Sequence, residues 1–171
     1  MRKLMLGVLS LLLSGCGGYP QNVTPIQQFD VNRYLGKWYE VARLDHSFER
    51  GLEQVSAEYT LLDNGRVKVV NRGFSTESNK WKEAVGKAFL AGKTDEGYLK
   101  VSFFGPFYSS YVVFGLDEEN YQYAYVSGPD HSYLWLLSRT PKVEKEVITR
   151  FVDTAKAKGF DTEKLIYVKQ K

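Results

Sequence analysis

The sequence predicts an all-β domain, an eight-stranded antiparallel up-and-down barrel with a C-terminal α-helix packed outside it. Eight short apolar or alternating runs lie between Val41 and Ser138, the links between them are brief and rich in Gly, Pro, Asn or Asp, and helical spacing replaces alternation after Arg139. Consecutive strands joined by short turns are antiparallel neighbours, and eight of them close into a barrel just wide enough for one small ligand. The chain contains no repeat of about 33 to 45 residues, which removes solenoids and propellers.

Residues 1–15 read as a lipoprotein signal peptide and stand outside the fold. Arg2 and Lys3 give a charged start, Leu4 to Leu13 an apolar run, and Ser14 and Gly15 a small-residue approach to Cys16. That run is too short to cross the ~30 Å hydrocarbon core of a bilayer. Leu13-Ser14-Gly15-Cys16 resembles the bacterial lipobox, which implies cleavage before Cys16 and a new N-terminus carrying a diacylglyceryl thioether and an amide-linked, palmitate-type acyl chain. Cys16, the one cysteine, is then a lipidation site and membrane anchor rather than a disulfide partner, nucleophile or metal ligand. Gly17 stands where an Asp resembles an inner-membrane retention signal, so the expected location is the outer membrane, lipid-anchored and facing the periplasm. Residues 16–28 form the lipidated N-terminus and a polar tether interrupted by Pro20 and Pro25, and the barrel domain occupies 29–171.

The first strand follows Trp38 and runs through Val41 to Leu44. Val55 to Leu62 alternate, Asp63-Asn64-Gly65 makes a hairpin turn, and Val67, Val69 and Asn71 then alternate with Lys68, Val70 and Arg72. Trp81 to Leu90, Tyr98 to Phe104, Tyr111 to Leu116, Tyr121 to Ser127 and Tyr133 to Ser138 complete the set. Thr140 and Pro141 read as the N-cap and first-turn proline of a helix in which Val143, Val147, Ile148, Phe151, Val152 and Ala155 share one face up to Gly159. Leu165 to Val168 add a short strand.

Composition removes other classes of function. A chain that is 43% hydrophobic and 25% charged buries a core, which excludes disorder. Losing Arg2 and Lys3 from the 23 cationic residues leaves 21 against 20 acidic ones, so the mature chain lacks the basic surplus that nucleic-acid binding needs. Acyl chains, two or more of which hold a protein stably at a bilayer, then do the anchoring without help from charge.

Gly36-Lys37-Trp38 at the start of the first strand resembles the lipocalin Gly-x-Trp motif, and Arg139 after the eighth strand resembles the arginine that packs on that Trp. A third family motif is matched in part by Leu116-Asp117 and Tyr121. With the strand count and the following helix, the resemblance covers roughly residues 29 to 168. Phe48-Glu49-Arg50-Gly51 and Ser102 to Tyr108, together with the signal, are similar to the bacterial outer-membrane lipoprotein branch of the lipocalins, close to the apolipoprotein D branch. The resemblance implies storage or transport of a lipid at the cell envelope, without catalysis or cofactor, and makes Gly36, Trp38 and Arg139 structural. A guanidinium on the indole closes the barrel base.

Alternation nominates the lining of the cup. Val55, Ala57, Tyr59, Val67, Val69 and Asn71 form the more apolar face of the second and third strands, and Leu99, Val101 and Phe103 that of the fifth, so both faces are expected inward. Strands six and eight are apolar on both faces; the resemblance places Tyr111, Val113 and Trp135 inward. Small Ala84, Gly86 and Ala88 on the fourth strand are expected to leave room for a chain-like ligand. The candidate ligand-binding set is therefore Tyr59, Val69, Asn71, Val101, Phe103, Tyr111, Val113 and Trp135, and the expected ligand a fatty acid or a lysophospholipid. The opposing expectation is that these aromatics fill a solid core.

Arg43, Arg50 and Arg72 are read as solvated charges, any of which meets an anionic headgroup if it lies at the mouth, and inward Glu40 and Asn71 each need a polar partner. A hydrolase has only His46 and His131 to draw on, and Asp45-His46-Ser47 and Asp130-His131-Ser132 are better explained as turns. No set of metal ligands is identifiable. Phe103 to Tyr108 contain more apolar side chains than a turn can hide, giving a homodimer contact, a membrane-dipping surface or local packing as alternatives.

Overall fold

The computed structural model describes residues 18–171, so the signal segment and Cys16 lie outside the described residues. Its strands are β1 (Gly36–Arg43), β2 (Leu52–Leu61), β3 (Val67–Ser75), β4 (Lys80–Leu90), β5 (Tyr98–Phe104), β6 (Phe107–Leu116), β7 (Tyr123–Ser127), β8 (Leu134–Ser138) and β9 (Ile166–Tyr167). They are ordered β2-β3-β4-β5-β6-β7-β8-β1-β9, and the additional β1–β2 pairing closes the first eight into the expected antiparallel barrel. β9 adds an edge beside Ala42 and Arg43. Because each strand turns directly into its neighbour, the links fall alternately at two ends. The β2–β3, β4–β5 and β6–β7 links lie at one end, and those of β1–β2, β3–β4, β5–β6 and β7–β8 lie at the other.

A short helix, α1 (Val31–Tyr34), capped by the Asp30 carboxylate accepting from the Asn32 amide, plugs the first end. Beneath it the Arg139 guanidinium lies 3.8 Å from the centre of the Trp38 ring. Arg139 also donates to the carbonyls of Arg33 (2.8 Å), Lys37 (3.0 Å) and Tyr121 (3.2 Å), so one side chain ties α1, β1 and the β6–β7 turn together. Trp38 is fully buried, and its indole N–H donates to the Tyr34 carbonyl at 2.8 Å. The partly matched motif works in the same place. The Asp117 carboxylate accepts from the amides of Asn120 and Gln122, and Tyr121 holds a left-handed φ of 53° with its ring beneath Arg33.

The long helix, α2 (Lys145–Ala157), starts later than Thr140-Pro141 implied, with Glu144 at its N-cap. The Thr140 hydroxyl donates to the Lys142 carbonyl at 2.7 Å and its amide to Ser138 Oγ at 3.1 Å, so both are used in a local turn leaving β8 rather than in a cap. Phe151 and Ala155 of α2 pack with Phe160 on Val112, Phe114, Tyr125, Leu134 and Leu136. This outer layer explains the doubly apolar strands six and eight, since one of their faces lines the barrel and the other lies under the helix.

β1 contains a bulge. Glu40 pairs with Leu137 but Ala42 pairs with Leu136, which leaves Val41 extra. Leu137 packs inside the barrel and Leu136 outside. The bulge therefore turns Ala42 outward and Arg43 inward, and Glu40 and Arg43 share the interior at a spacing of three.

The barrel cup as candidate functional site

The lower half of the barrel is filled. Tyr111 Oη lies 2.7 Å from Tyr34 Oη and 2.9 Å from Tyr59 Oη, so one hydroxyl links the plug helix to β2 and β6. Burial raises all three phenol pKa values; Tyr59 adds to the shift at Tyr34 and both neighbours add to it at Tyr111, while the hydrogen bond to Tyr111 opposes it at Tyr34 and Tyr59, and the three remain neutral as a hydrogen-bonded floor. Of the candidate lining residues, Tyr59, Val69 and Val113 are buried in this core rather than open to a cavity. Phe103 also changes the expectation for β4. A Cβ at Gly86 would stand 2.8 Å from the Phe103 ring and 2.6 Å from the Ser102 carbonyl oxygen, so the space left by this glycine is taken up by an aromatic ring.

Above that floor the interior opens. The β3–β4 register sets Val67 opposite Ala88, Val69 opposite Gly86, Asn71 opposite Ala84 and Gly73 opposite Lys82, all on the inner face. Exposure rises along the β4 side of this ladder, from buried Ala88 through half-buried Gly86 to exposed Ala84 and Lys82, whereas on the β3 side Asn71 is half-buried and Gly73 is buried beneath Leu52 and Val55. Val101, Phe103, Tyr111 and Trp135 are likewise half-buried on the inner side. The candidate cup is thus the upper half, lined by half-buried Asn71, Val101, Phe103, Tyr111 and Trp135, with Ala84 and Lys82 exposed toward the open end. Lys82 was not among the sequence candidates, although carrying the alternation from Gly86 through Ala84 reaches it.

The wall opposite β4 is polar and buried. Arg43 is only 2% exposed, which overturns its reading as a solvated charge. Arg43 Nη1 lies 3.0 Å from Glu40 Oε1, and its Nη2 donates to the Glu49 carbonyl at 2.9 Å. Glu49 Oε2 accepts from Trp135 Nε1 at 3.1 Å, lies 2.8 Å from His46 Nε2 and is 3.8 Å from Arg43 Nε. Burial and the charge of Glu49 hold the Glu40 carboxyl well above the usual range against the opposing pull of Arg43. Burial acts on Glu49 too, but hydrogen bonds from His46, Trp135 and Glu40 outweigh it and hold this carboxylate below its usual value. Arg43 Nε and His46 Nδ1 are buried without a hydrogen-bond partner among the described residues. Arg50 instead pairs with exposed Asp45 at 2.9 Å, and Arg72 lies over Trp81 on the outer surface.

Neither histidine is arranged for nucleophilic catalysis. His46 is engaged with Glu49, and His131 Nε2 lies 2.9 Å from the Lys158 carbonyl oxygen with its ring on Phe160. Asp130 accepts from the Ser132 amide at 2.8 Å, the turn its sequence suggested.

Residues 29–170 match the family described as the lipocalin-like domain. The chain is a lipocalin. It is 60% identical over 170 residues to the outer membrane lipoprotein Blc of Vibrio cholerae, covering 99% of each chain. It is 50% identical over 151 residues to the outer membrane lipoprotein Blc of Escherichia coli, covering 88% of this chain and 85% of that one. Apolipoprotein D of Mus musculus is more distant, at 32% over 149 residues, covering 82% and 77%. Insecticyanin of the tobacco hornworm Manduca sexta shares the fold, with a TM-score of 0.72 at 24% identity over 90% of this chain and 87% of that one. This lipocalin thus belongs to a family of small-hydrophobe binders, and its barrel is a binding scaffold rather than a catalytic one.

Proposed function

We propose that this lipocalin is lipidated at Cys16, resides at the outer membrane facing the periplasm, and carries a fatty acid or lysophospholipid in the upper half of its barrel. The observation that carries the reading is that Asn71 of β3, Val101 and Phe103 of β5, Tyr111 of β6 and Trp135 of β8 are inward yet only half-buried, above the buried Val67, Val69 and Val113. An acyl tail laid on Ala84, Val101, Phe103, Tyr111 and Trp135 gains about 25 cal/mol for each Å² of apolar surface removed from water. Arg43 is held by Glu40 and Glu49, so among the described residues the exposed cations on the inner parity of β4 that meet a phosphate or carboxylate headgroup are Lys80 and Lys82. The lipoprotein names of the Vibrio and Escherichia relatives support the anchor.

Titration of residues 18–171, purified without detergent, against fatty acids and lysophospholipids, read by native mass spectrometry, tests this function. One lipid per chain is expected. Ala84→Phe fills the open wall and should weaken binding at least about tenfold, the equivalent of 1.4 kcal/mol, with the melting temperature kept. Lys82→Gln should weaken anionic ligands more than a neutral monoglyceride. Binding unaffected by Ala84→Phe, or none in a folded barrel, would overturn the reading.

A further inference from the structure

We infer that a second binding site lies outside the cup, on the outer face of the barrel where β1, β2 and β3 meet the C-terminal residues, and that it takes a phosphate-bearing anion. The inference depends neither on the ligand of the cup nor on Cys16. A hollow of about 240 Å³ opens on this face, with Lys37, Tyr39, Ser56, Arg72 and Trp81 in its lining. The strand register assembles it. Tyr39 of β1 pairs with Ser56 of β2 and Ser56 with Arg72 of β3, so the three stand in one row across the outer face. Lys37 is the next outward position toward the closed end, and Trp81, opposite Phe74, the next toward the open end.

Each cation of the hollow is held against an aromatic face. The Arg72 guanidinium carbon lies 4.5 Å from the centre of the Trp81 ring, and Lys37 Nζ lies 4.9 Å from that of Tyr39. Neither cation forms an ion pair among the described residues, although Glu58 stands opposite Lys37 and Glu83 opposite Arg72 in the register. No acidic side chain lines the hollow among the described residues. Stacking sets the place of both cations before a ligand arrives, so less side-chain freedom is lost on binding. A guanidinium fork, an ammonium point charge and the Ser56 hydroxyl between them are the donors that a tetrahedral oxyanion accepts. The wall toward β1 is fixed by backbone. Gln54 leaves the ladder in a bulge between Glu53 and Ser56 with a left-handed φ of 52°, and its amide donates to the Lys169 carbonyl at 2.8 Å. Gln170 Nε2 donates to the carbonyls of Glu40 at 2.8 Å and Val55 at 3.0 Å, which pins the C-terminal residues across the β1–β2 seam beside the hollow. A hollow of this size takes a phosphate or glycerophosphate group rather than a whole lipid, and a free phosphate ion and a phosphate ester present the same chemistry to it.

Fluorine NMR of the full-length chain in a neutral detergent, labelled with 5-fluorotryptophan, tests the site. The chain has three tryptophans, Trp81 here, Trp135 in the cup and Trp38 in the barrel base; Trp81→Phe and Trp135→Phe assign their signals. At constant ionic strength, inorganic phosphate or glycerol 3-phosphate should move the Trp81 signal to saturation and leave those of Trp38 and Trp135 in place. A ligand entering the cup moves Trp135 instead, so failure of the cup and failure of this site are read separately. Equal affinity for the two probes assigns the site to free phosphate, and tighter binding of glycerol 3-phosphate assigns it to an esterified phosphate such as a lipid headgroup. Lys37→Gln and Arg72→Gln, both at exposed positions, should each weaken the saturable shift at least about tenfold with the melting temperature kept. A Trp81 signal unmoved by both probes, moved equally by chloride, or still saturable in the double variant Lys37→Gln/Arg72→Gln would overturn the inference.

Discussion

Arg43 and Trp38 mark what single residues reveal about this barrel. Trp38 was legible because a motif and its parity agreed, whereas Arg43 was not, because alternation counted from Trp38 puts it outside until the Val41 bulge shifts the parity. A bulge of one residue leaves no signature in an apolar strand, so the buried ion group it creates was legible only at Glu40. Arg43→Met removes the partner of two buried carboxyls and should cost about 3–5 kcal/mol, measured by urea unfolding of residues 18–171. The two glutamates also predict opposing pH dependences. Glu40, held high, contributes stability that is present below its ordinary pKa and is lost as pH rises through its folded value. Glu49, held low, contributes stability above its ordinary pKa that is lost as pH falls through its folded value. Glu40→Gln should therefore flatten the loss of melting temperature as pH rises above the ordinary carboxylate range while leaving the acid limb in place; an unchanged decline with rising pH would contradict the assignment.

At the scale of elements, all eight barrel strands and the outer helix were legible, and the errors fell at their ends. Pro141 and Thr140 carry the chemistry of a helix start, but the Thr140 hydroxyl and amide are used in the turn that leaves β8, and α2 begins at Lys145. Strands six and eight could not be oriented by alternation because α2 makes their outer face as apolar as their inner one. That layer yields a prediction. Phe151→Ala, at a fully buried contact between α2 and the sheet, should cost about 3–5 kcal/mol and leave lipid affinity nearly unchanged, because the outer layer does not touch the cup. Gly86→Ala acts on the other side. Its methyl meets the Ser102 carbonyl and the Phe103 ring, so it should lower the melting temperature and the affinity together, as calorimetry and titration of the same preparation would show.

For the molecule as a whole, the sequence carried the closed barrel but not how far it is filled. Small residues on β4 suggested room throughout, yet the Phe103 ring occupies the space at Gly86 and the Tyr34–Tyr111–Tyr59 hydroxyls close the interior below it. Filling depends on which rings from distant strands meet at one level, and alternation within a strand is silent about that. The proposed cup is half-depth, with an apolar wall, a buried polar wall and exposed Lys80 and Lys82 at its mouth, suited to an acyl chain whose headgroup stays at the rim. The most direct test is methyl NMR of residues 18–171 labelled at Ala and Val and titrated with a lysophospholipid. The Ala84 and Val101 methyls should shift to saturation at one equivalent while Ala155, beneath α2, stays fixed. Saturation with no movement at Ala84 or Val101 would contradict an acyl chain bound in the upper barrel.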